Sequence, residues 1–310
     1  MLSVSIGKAK GQRLDKEGAK SARTRTLWGD ALQRLKKNKL AVISFVWVVL
    51  MILLALTADL WVVRVLGDPS YVSTEVTATM SRMPPTLAHP FGTDELGRDI
   101  LARVVYGAQV SLRVGVLATL IATTIGMILG SLAAYFGRLF DAIIMRLTDI
   151  FMAVPYTLFA IALLAVLGPS ERNIYIAIGC LGWTSVCRVV RSSILQVKEN
   201  DYVAAARALG AGNLRIILRH ILPNSMASVV VYATMSIGSA IMTEAALSYL
   251  GLGIQPPTAS WGLMISAGQS FLSVSPWLVI CPGIAILGTV LAFTLMGDGL
   301  RDALDVKVTD

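Results

Sequence analysis

The side chains that could carry out chemistry are few in this chain and do not cluster. His89 and His220 lie far apart in sequence, which argues against a shared metal or catalytic base. The three cysteines, Cys180, Cys187 and Cys281, fall in or beside apolar stretches without metal-ligand spacing, as expected of packing residues. We therefore predict no metal site and no catalytic residues.

Motifs that bind phosphate or activate a nucleophile are also absent from the sequence. It contains no G-x-x-x-x-G-K-S/T, the loop that cradles nucleotide phosphates, and no G-x-S-x-G or H-E-x-x-H. We expect the chain to be no enzyme and to bind no cofactor, so that any ATP is handled by another subunit.

The elements that must position the polar residues are strongly apolar. Of the 310 residues, 55% are hydrophobic and 15% are charged, which is typical of a membrane protein. A helix needs about 20 apolar residues to span the hydrocarbon core. Six stretches qualify, the fourth only if it borrows neighbouring residues: 40–63, 109–136, 141–167, 174–187, 225–250 and 277–297. The sequence therefore predicts an all-α membrane protein with six transmembrane helices.

The positive charges predict the orientation of these helices. Most of the 27 lysines and arginines fall on one side of a six-span arrangement, and that side contains both termini. Because cationic loops resist translocation, we expect both termini to be cytoplasmic. The net charge of +8 requires no nucleic acid, because its excess lies on the side that this rule demands, and the expected partners include membrane lipid but no nucleic acid.

The chain then divides into a cytoplasmic basic tail with an interfacial helix, a first span, an extracytoplasmic loop, a five-helix core and a cytoplasmic C-terminal tail. Their ranges are 1–39, 40–63, 64–108, 109–298 and 299–310. In the first of them Trp28, Leu32 and Leu35 share one helical face, although a solvated basic lead-in is the alternative.

Ionisable residues inside apolar stretches mark functional sites by default. Arg146 and Asp149 are three residues apart, a spacing that predicts a structural ion pair on one helix face, with a substrate or gating contact as the alternative. Glu244 is expected near the outer surface, where it contacts either a partner or substrate, or water.

The polar loop 188–223 carries its own helical pattern. A short helix is predicted after Glu199 and Asn200, ending at Gly210 or Gly212. Its alanines make it slim, and two larger side chains project from it. The residues that we assign to this coupling helix are Asp201, Tyr202, Ala204, Ala205, Ala206, Arg207 and Gly210.

A second helix is predicted to support the first. Asn213 is placed to cap it, and Leu214, Ile217, Leu218 and Ile221 follow the spacing of one helix face. Pro223 is expected to end it. This apolar face should rest on protein or membrane.

Residues that line a pathway are predicted on the third and fifth spans, where flexible and polar side chains would suit a broad cavity. The candidates are Met152, Tyr156, Met235, Ser239, Met242 and Glu244, with ordinary helix packing as the alternative for each. Pro155 is expected to kink the third span, and Gly126 and Gly130 to form a close-packing face on the second.

The loop resembles the motif E-A-A, three residues, G, nine residues, I-x-L-P of permease subunits in binding-protein-dependent ABC importers. Here it reads Ala204-Ala205-Ala206, Gly210 and His220-Ile221-Leu222-Pro223. Ala204 replaces the usual glutamate and His220 the usual isoleucine. Three further stretches, 89–112, 247–262 and 297–305, are similar to the C-type subunit of the dipeptide/oligopeptide/nickel branch.

The resemblance implies a type I ABC importer permease fold with a cytoplasmic coupling helix, in the inner membrane of a bacterium or archaeon. It also implies a second homologous permease subunit, two ABC ATPase subunits that bind ATP and Mg²⁺, and an extracytoplasmic solute-binding protein. The implied cargo is short peptides, with nickel or a metal chelate as the alternative. A stand-alone secondary carrier or channel is the alternative of another class, although mid-membrane carboxylates typical of carriers are not evident.

Overall fold

The computed structural model describes residues 27–66 and 79–304, and within those ranges the chain is almost entirely helical. The helices are α1 Leu27–Lys37, α2 Lys39–Val65, α3 Ile100–Phe136, α4 Arg138–Ala153, α5 Tyr156–Leu167, α6 Glu171–Lys198, α7 Asp201–Ala208, α8 Asn213–Ile216, α9 Leu222–Tyr249, α10 Trp261–Gly268 and α11 Trp277–Leu304. The predicted tail before residue 27, part of the loop after α2 and the last six residues lie outside the described ranges, as do the side chains of Trp28 and Leu32.

Six membrane-spanning segments can be drawn from these helices. α2, α3, α6 and α11 are each long and apolar enough to cross a membrane, and so is the stretch Asn213–Tyr249, which includes α8 and α9. α4 and α5 together form the sixth, bent by 84° between them. The prediction of an all-α membrane protein with six spans is confirmed.

α3 and α6 form the central pair of the bundle and run parallel to each other, and small residues bring them together. A Cβ atom on Gly126 would lie 2.6 Å from Cβ of Val186, and one on Gly179 would lie 2.7 Å from Cβ of Ile121. Such approach distances leave no room for any larger residue. At one end of the pair Arg113 forms an ion pair with Glu171, with a separation of 3.0 Å.

The break between α4 and α5 is caused by Pro155. Val154, the residue before the proline, has φ −96° and ψ 131°, the extended conformation that proline favours in its predecessor. The chain therefore leaves the helix at Ala153 and starts a new one at Tyr156. The kink expected at Pro155 is a complete break.

Asp149 does not pair with Arg146, so the predicted pair on α4 is wrong. Its carboxylate instead accepts a hydrogen bond of 2.7 Å from Arg188 on α6. About two turns earlier, Asp141 accepts two bonds from Arg191, at 2.5 and 2.7 Å. Both acidic side chains of α4 therefore pair with arginines of α6, Asp141 in the bidentate geometry that guanidinium groups favour and Asp149 through a single bond.

Glu244 is fully buried, which corrects its expected position at a hydrated surface. The carboxylate accepts hydrogen bonds from Ser111 on α3 at 2.9 Å and from Ser248, one turn along α9, at 2.7 Å. The Ser248 hydroxyl in turn accepts a bond of 3.2 Å from the backbone N–H of Ile254. Glu244 thus joins α3, α9 and the following loop.

The segment after α9 packs into the bundle. Trp261, at the start of α10, is fully buried, and its indole N–H donates a bond of 2.9 Å to the carbonyl of Val104 on α3. Residues 251–276 thus form a packed loop that contains a short helix.

Candidate functional site

α7 is a short helix held by one buried side chain. Val203 is 1% exposed and packs in a cluster with Ile194 of α6 and Ile221. Tyr202 is 43% exposed, and the remaining residues that we assign to the coupling helix are exposed or, in the case of Ala206, half-buried. α7 therefore presents most of its narrow surface away from the bundle.

Gly210 ends α7 with a left-handed turn. Its φ is +80°, its backbone N–H donates to the carbonyl of Arg207 at 3.0 Å, and the N–H of Ala211 donates to the carbonyl of Ala206 at 3.1 Å. These two bonds form a Schellman motif, in which glycine is favoured because it has no Cβ to clash in the left-handed conformation. Of the two stops predicted for this helix, Gly210 is the one that terminates it.

The support for α7 differs from the predicted face. Ile217 and Ile221 are buried as expected, but Leu214 and Leu218 are 69% and 57% exposed, and the buried Ile216 was missed. The reason is a π-helical segment, Ile217–Ile221, between α8 and α9. Hydrogen bonds in a π-helix join residues five apart, so Ile216 and Ile221 align where an α-helical pattern would separate them.

Pro223 does not end this helix, which corrects a second prediction. The N–H of Leu222 donates to the carbonyl of Ile217, and the chain continues into α9 with Pro223 in its first turn. A proline is tolerated there because the wider π turn before it relieves the clash with the preceding turn.

Asn213 is the first residue of α8 rather than its cap, which is Gly212. The Asn213 side chain accepts a bond of 2.7 Å from the hydroxyl of Tyr135 at the end of α3. Lys198, the last residue of α6, donates to the carbonyl of Tyr135 at 2.8 Å. Tyr135 therefore connects the ends of α3 and α6 to the start of α8.

A cavity of about 370 Å³ lies at the break between α4 and α5. Residues of α3, α6 and α9 form the rest of its wall, and none of the twenty lining residues is ionisable at neutral pH. Eight of them carry hydroxyls: Thr119, Tyr156, Thr184, Ser185, Tyr232, Ser236, Ser239 and Thr243. Such walls offer hydrogen bonds and apolar contacts without selecting for charge.

Three of the predicted pathway residues, Met152, Tyr156 and Ser239, line this cavity. The Tyr156 hydroxyl donates to the carbonyl of Ile178 at 3.1 Å, which ties the start of α5 to α6. Met235 faces Gly297 of α11 instead, and Met242 and Glu244 are not among the lining residues.

Pathway residues were predicted only on the third and fifth spans, and the sequence did not predict that α3 and α6 also line the cavity. The available signal was a set of hydroxyl side chains within apolar stretches, including Thr119, Thr184 and Ser185. Within the parts of the chain that the structure covers, no group of three or more His, Cys, Asp or Glu residues is placed to hold a metal ion.

Comparison of the sequence with profiles of known protein families identifies the family of this chain. The profile described as "Binding-protein-dependent transport system inner membrane component" matches residues 122–310. The chain belongs to this family. A second profile, the N-terminal transmembrane domain of oligopeptide transport permease C, matches residues 26–85, so the two matches together include most of the chain.

Relatives of known name support the same family over nearly the full length. The chain is 44% identical to a dipeptide transport system permease protein, DppC, of Alkalihalophilus pseudofirmus, over 91% of this chain and 90% of that one. It is 42% identical to the oligopeptide transport system permease protein OppC of Bacillus subtilis, with 93% and 92% covered. It is 41% identical to the glutathione transport system permease protein GsiD of Escherichia coli, with 93% of each covered.

Solved structures show the fold of this family. An inward-facing form of the MetNI methionine ABC transporter aligns with 65% of this chain and 96% of its own, with a TM-score of 0.55 and 15% identity. An amino acid ABC transporter aligns with a TM-score of 0.52 at 14% identity, over 65% of this chain and 94% of its own. The chain thus has the predicted type I importer permease fold.

Proposed function

We propose that this chain is the permease subunit of an ATP-driven importer that moves short peptides across the cytoplasmic membrane by alternating access. The observation that carries the proposal is the uncharged cavity at the break between α4 and α5, in a bundle whose far end presents the exposed helix α7. A cavity provides the path, and an exposed helix provides a place for an energy source to act.

ATP is hydrolysed by partner subunits, because the sequence has no phosphate-binding loop. α7 docks into a groove of one ABC ATPase, which binds ATP and Mg²⁺. Its slim alanine surface and exposed Tyr202 suit a groove, and the buried Val203 fixes it to the bundle. The exposed Leu209, Leu214 and Leu218 add apolar area that is otherwise costly in water.

The complete importer contains this chain, a second homologous permease subunit, two ATPase subunits and an extracytoplasmic solute-binding protein. Docking of α7 to an ATPase requires that α7 lie in the cytoplasm, and a six-span topology then places both termini there as well. The excess of lysine and arginine on that side supports the same orientation.

Short peptides are the cargo that the comparisons favour. Relatives above 40% identity are named for dipeptide, oligopeptide and glutathione transport. The cavity fits such cargo, because hydroxyl and apolar walls accept peptides of varied side chains. No observation on this chain favours nickel or a metal chelate.

Purification of the complex tests the assembly and the cargo together. The chain is tagged and isolated in detergent, and mass spectrometry identifies the co-purifying proteins and the ligand of the binding protein. We expect two ATPases, a second permease and a bound peptide. A chain that transports solute without ATPases would be a carrier or channel, and a binding protein loaded with nickel or a metal chelate would contradict the peptide assignment.

A further inference from the structure

An ion pair between α4 and α6 lies one helical turn from the cavity. Arg188 on α6 donates a hydrogen bond of 2.7 Å to the carboxylate of Asp149 on α4. Each member of the pair is three residues from a residue that lines the cavity, Ser185 on α6 and Met152 on α4. Residues three apart lie on adjacent turns of one helix face, so the pair continues the cavity wall on both helices.

Arg188 also belongs to a polar stripe that leads from the cavity to the end of α6 that precedes α7. The stripe consists of four residues spaced by three, four and four positions along one helix face: Ser185, Arg188, Ser192 and Gln196. Over residues 181–198, every exposed residue of α6 belongs to this stripe. The exposed face of this half of α6 is therefore entirely polar.

A polar face of this kind is unsuited to lipid. On α2, every exposed residue between positions 40 and 56 is apolar, as expected of a helix that faces hydrocarbon. Arg188 is 17 residues from Glu171 at the other end of α6, about 26 Å along a helix, which is less than the roughly 30 Å of a hydrocarbon core. Because charged groups at such depth face water or protein, and this stripe continues the cavity wall, we assign it to a water-filled path.

A second ion pair between the same two helices has a different geometry. Arg191 donates two hydrogen bonds to Asp141, and the two side chains are 31% and 27% exposed. Arg188 donates a single bond to Asp149, and these side chains are 47% and 53% exposed. A solvated pair with one bond is weak, whereas a bidentate pair is stronger and fixes its geometry. The Arg188–Asp149 pair is therefore the one that a solute can open.

We propose that Arg188 and Asp149 form a binding site for the two charged ends of the transported peptide, at the cytoplasmic mouth of the cavity. This inference rests on the proposed function, since a short peptide has one terminal carboxylate and one terminal ammonium group. The Arg188 guanidinium binds the carboxylate and the Asp149 carboxylate binds the ammonium group, so that both side chains keep a partner of opposite charge when their own bond opens. The cavity wall has no ionisable side chain at neutral pH, and this pair supplies the complementary charges one turn away.

The transport test uses the whole complex in proteoliposomes, with radiolabelled dialanine and saturating binding protein. Arg188→Gln combined with Asp149→Asn removes both charges at similar side-chain size, and Arg191→Gln combined with Asp141→Asn is the matched control. Loss of two weak ionic contacts predicts a maximal uptake rate about fivefold lower in the first double variant. The control should transport at the wild-type rate per assembled complex. Wild-type uptake in the first double variant would overturn the site, and so would equal losses in both, which would indicate a structural role.

A second measurement tests the path without transport. Ser192→Cys in the nucleotide-free complex, held in lipid nanodiscs at low ionic strength, is treated with an anionic or a cationic thiosulfonate of similar size. Position 192 is one turn from Arg188, about 6 Å along the helix. Adding Arg188→Gln should slow the anionic reagent about threefold and accelerate the cationic one by a similar factor, and Asp149→Asn should do the opposite. Rates that do not respond to either substitution would contradict a shared water-filled path.

Protection of the same cysteine tests recognition of the peptide ends. Dialanine at high concentration should slow the labelling of Ser192→Cys, whereas dialanine with an acetylated N-terminus and an amidated C-terminus should not. Equal protection by the two peptides, or protection by neither, would overturn the site. Wild-type proteoliposomes that fail to accumulate dialanine would refute the proposed cargo and the site with it, a result distinct from accumulation without protection.

Discussion

The left-handed turn at Gly210 leads to a sharp prediction about energy coupling. A Cβ added at Gly210 meets no atom within 4 Å, so a substitution there acts through the backbone conformation alone. Gly212 is equally open, but its φ is −67° and its ψ 154°, values that any residue adopts. Gly210→Thr and Gly212→Thr therefore place the same side chain on the same exposed loop, with strain in only one of them.

The magnitude follows from the turn. A left-handed conformation costs an ordinary residue about 1–2 kcal/mol, and a β-branched residue lies at the upper end. If the turn opens to avoid this strain, the two Schellman hydrogen bonds are lost, at about 1 kcal/mol each. A cost of one to two kcal/mol shifts the population of the native turn by a factor of about 5 to 30. Val203 still anchors α7, so we expect the chain to fold and insert.

The assay measures ATP hydrolysis and dipeptide uptake in the same proteoliposomes. Gly210→Thr should lower the number of peptides moved per ATP. When the C-terminal turn of α7 has opened, movement of the ATPase deforms that turn and less of the movement is transmitted to the spans. Gly212→Thr should retain the wild-type ratio, and Gly210→Asn should lie close to it, because asparagine tolerates the left-handed region. Equal ratios for Gly210→Thr and Gly212→Thr would refute the reasoning.

Three further predictions concern stability. Glu244→Ala should lower the melting temperature of the complex by an amount equivalent to about 1–3 kcal/mol, since it leaves buried hydroxyls unpaired, and a melt unchanged from wild type would contradict this. A double-mutant cycle of Arg188→Ala and Asp149→Ala should give a coupling below about 1 kcal/mol, since both side chains are about half exposed; a larger value would show that the pair is shielded from water. Burial, and next the charge of Asp94, raise the pKa of the Glu95 carboxyl. Wild type therefore loses stability as the pH rises through the folded pKa of Glu95. Glutamine does not titrate, so the melting temperature of Glu95→Gln should exceed that of wild type by an amount that grows between about pH 4 and pH 7. A difference that is constant with pH would exclude this titration.

The sequence predicted those features that depend on local pattern. Hydropathy is enough to identify spans, since every span must be apolar for the length of the hydrocarbon core. The break at Pro155 was visible as a kink because proline acts on its own helix. Val203 and Gly210 belong to a loop whose helix could be recognised from its flanking residues.

Features that depend on how helices face each other could not be predicted in this way. Asp149 has Arg188 as its partner only because α4 lies against α6, and a single-helix pattern shows Arg146 instead. The burial of Ile216 depends on a π segment that has no clear signal in an α-helical pattern. Thr119 enters the cavity wall through the rotation of α3, which sequence spacing does not determine.

The continuity of α8 with α9 has a mechanical consequence. From Asn213 to Ser239 the chain is helical throughout, a distance of about 39 Å at 1.5 Å per residue, and it contains no flexible loop. If α7 docks to an ATPase as proposed, a displacement there is transmitted to the cavity wall through this one continuous helix. The regular α-helical hydrogen bonding is interrupted at the π segment next to Pro223, so bending at this point would reduce the displacement that reaches the cavity wall.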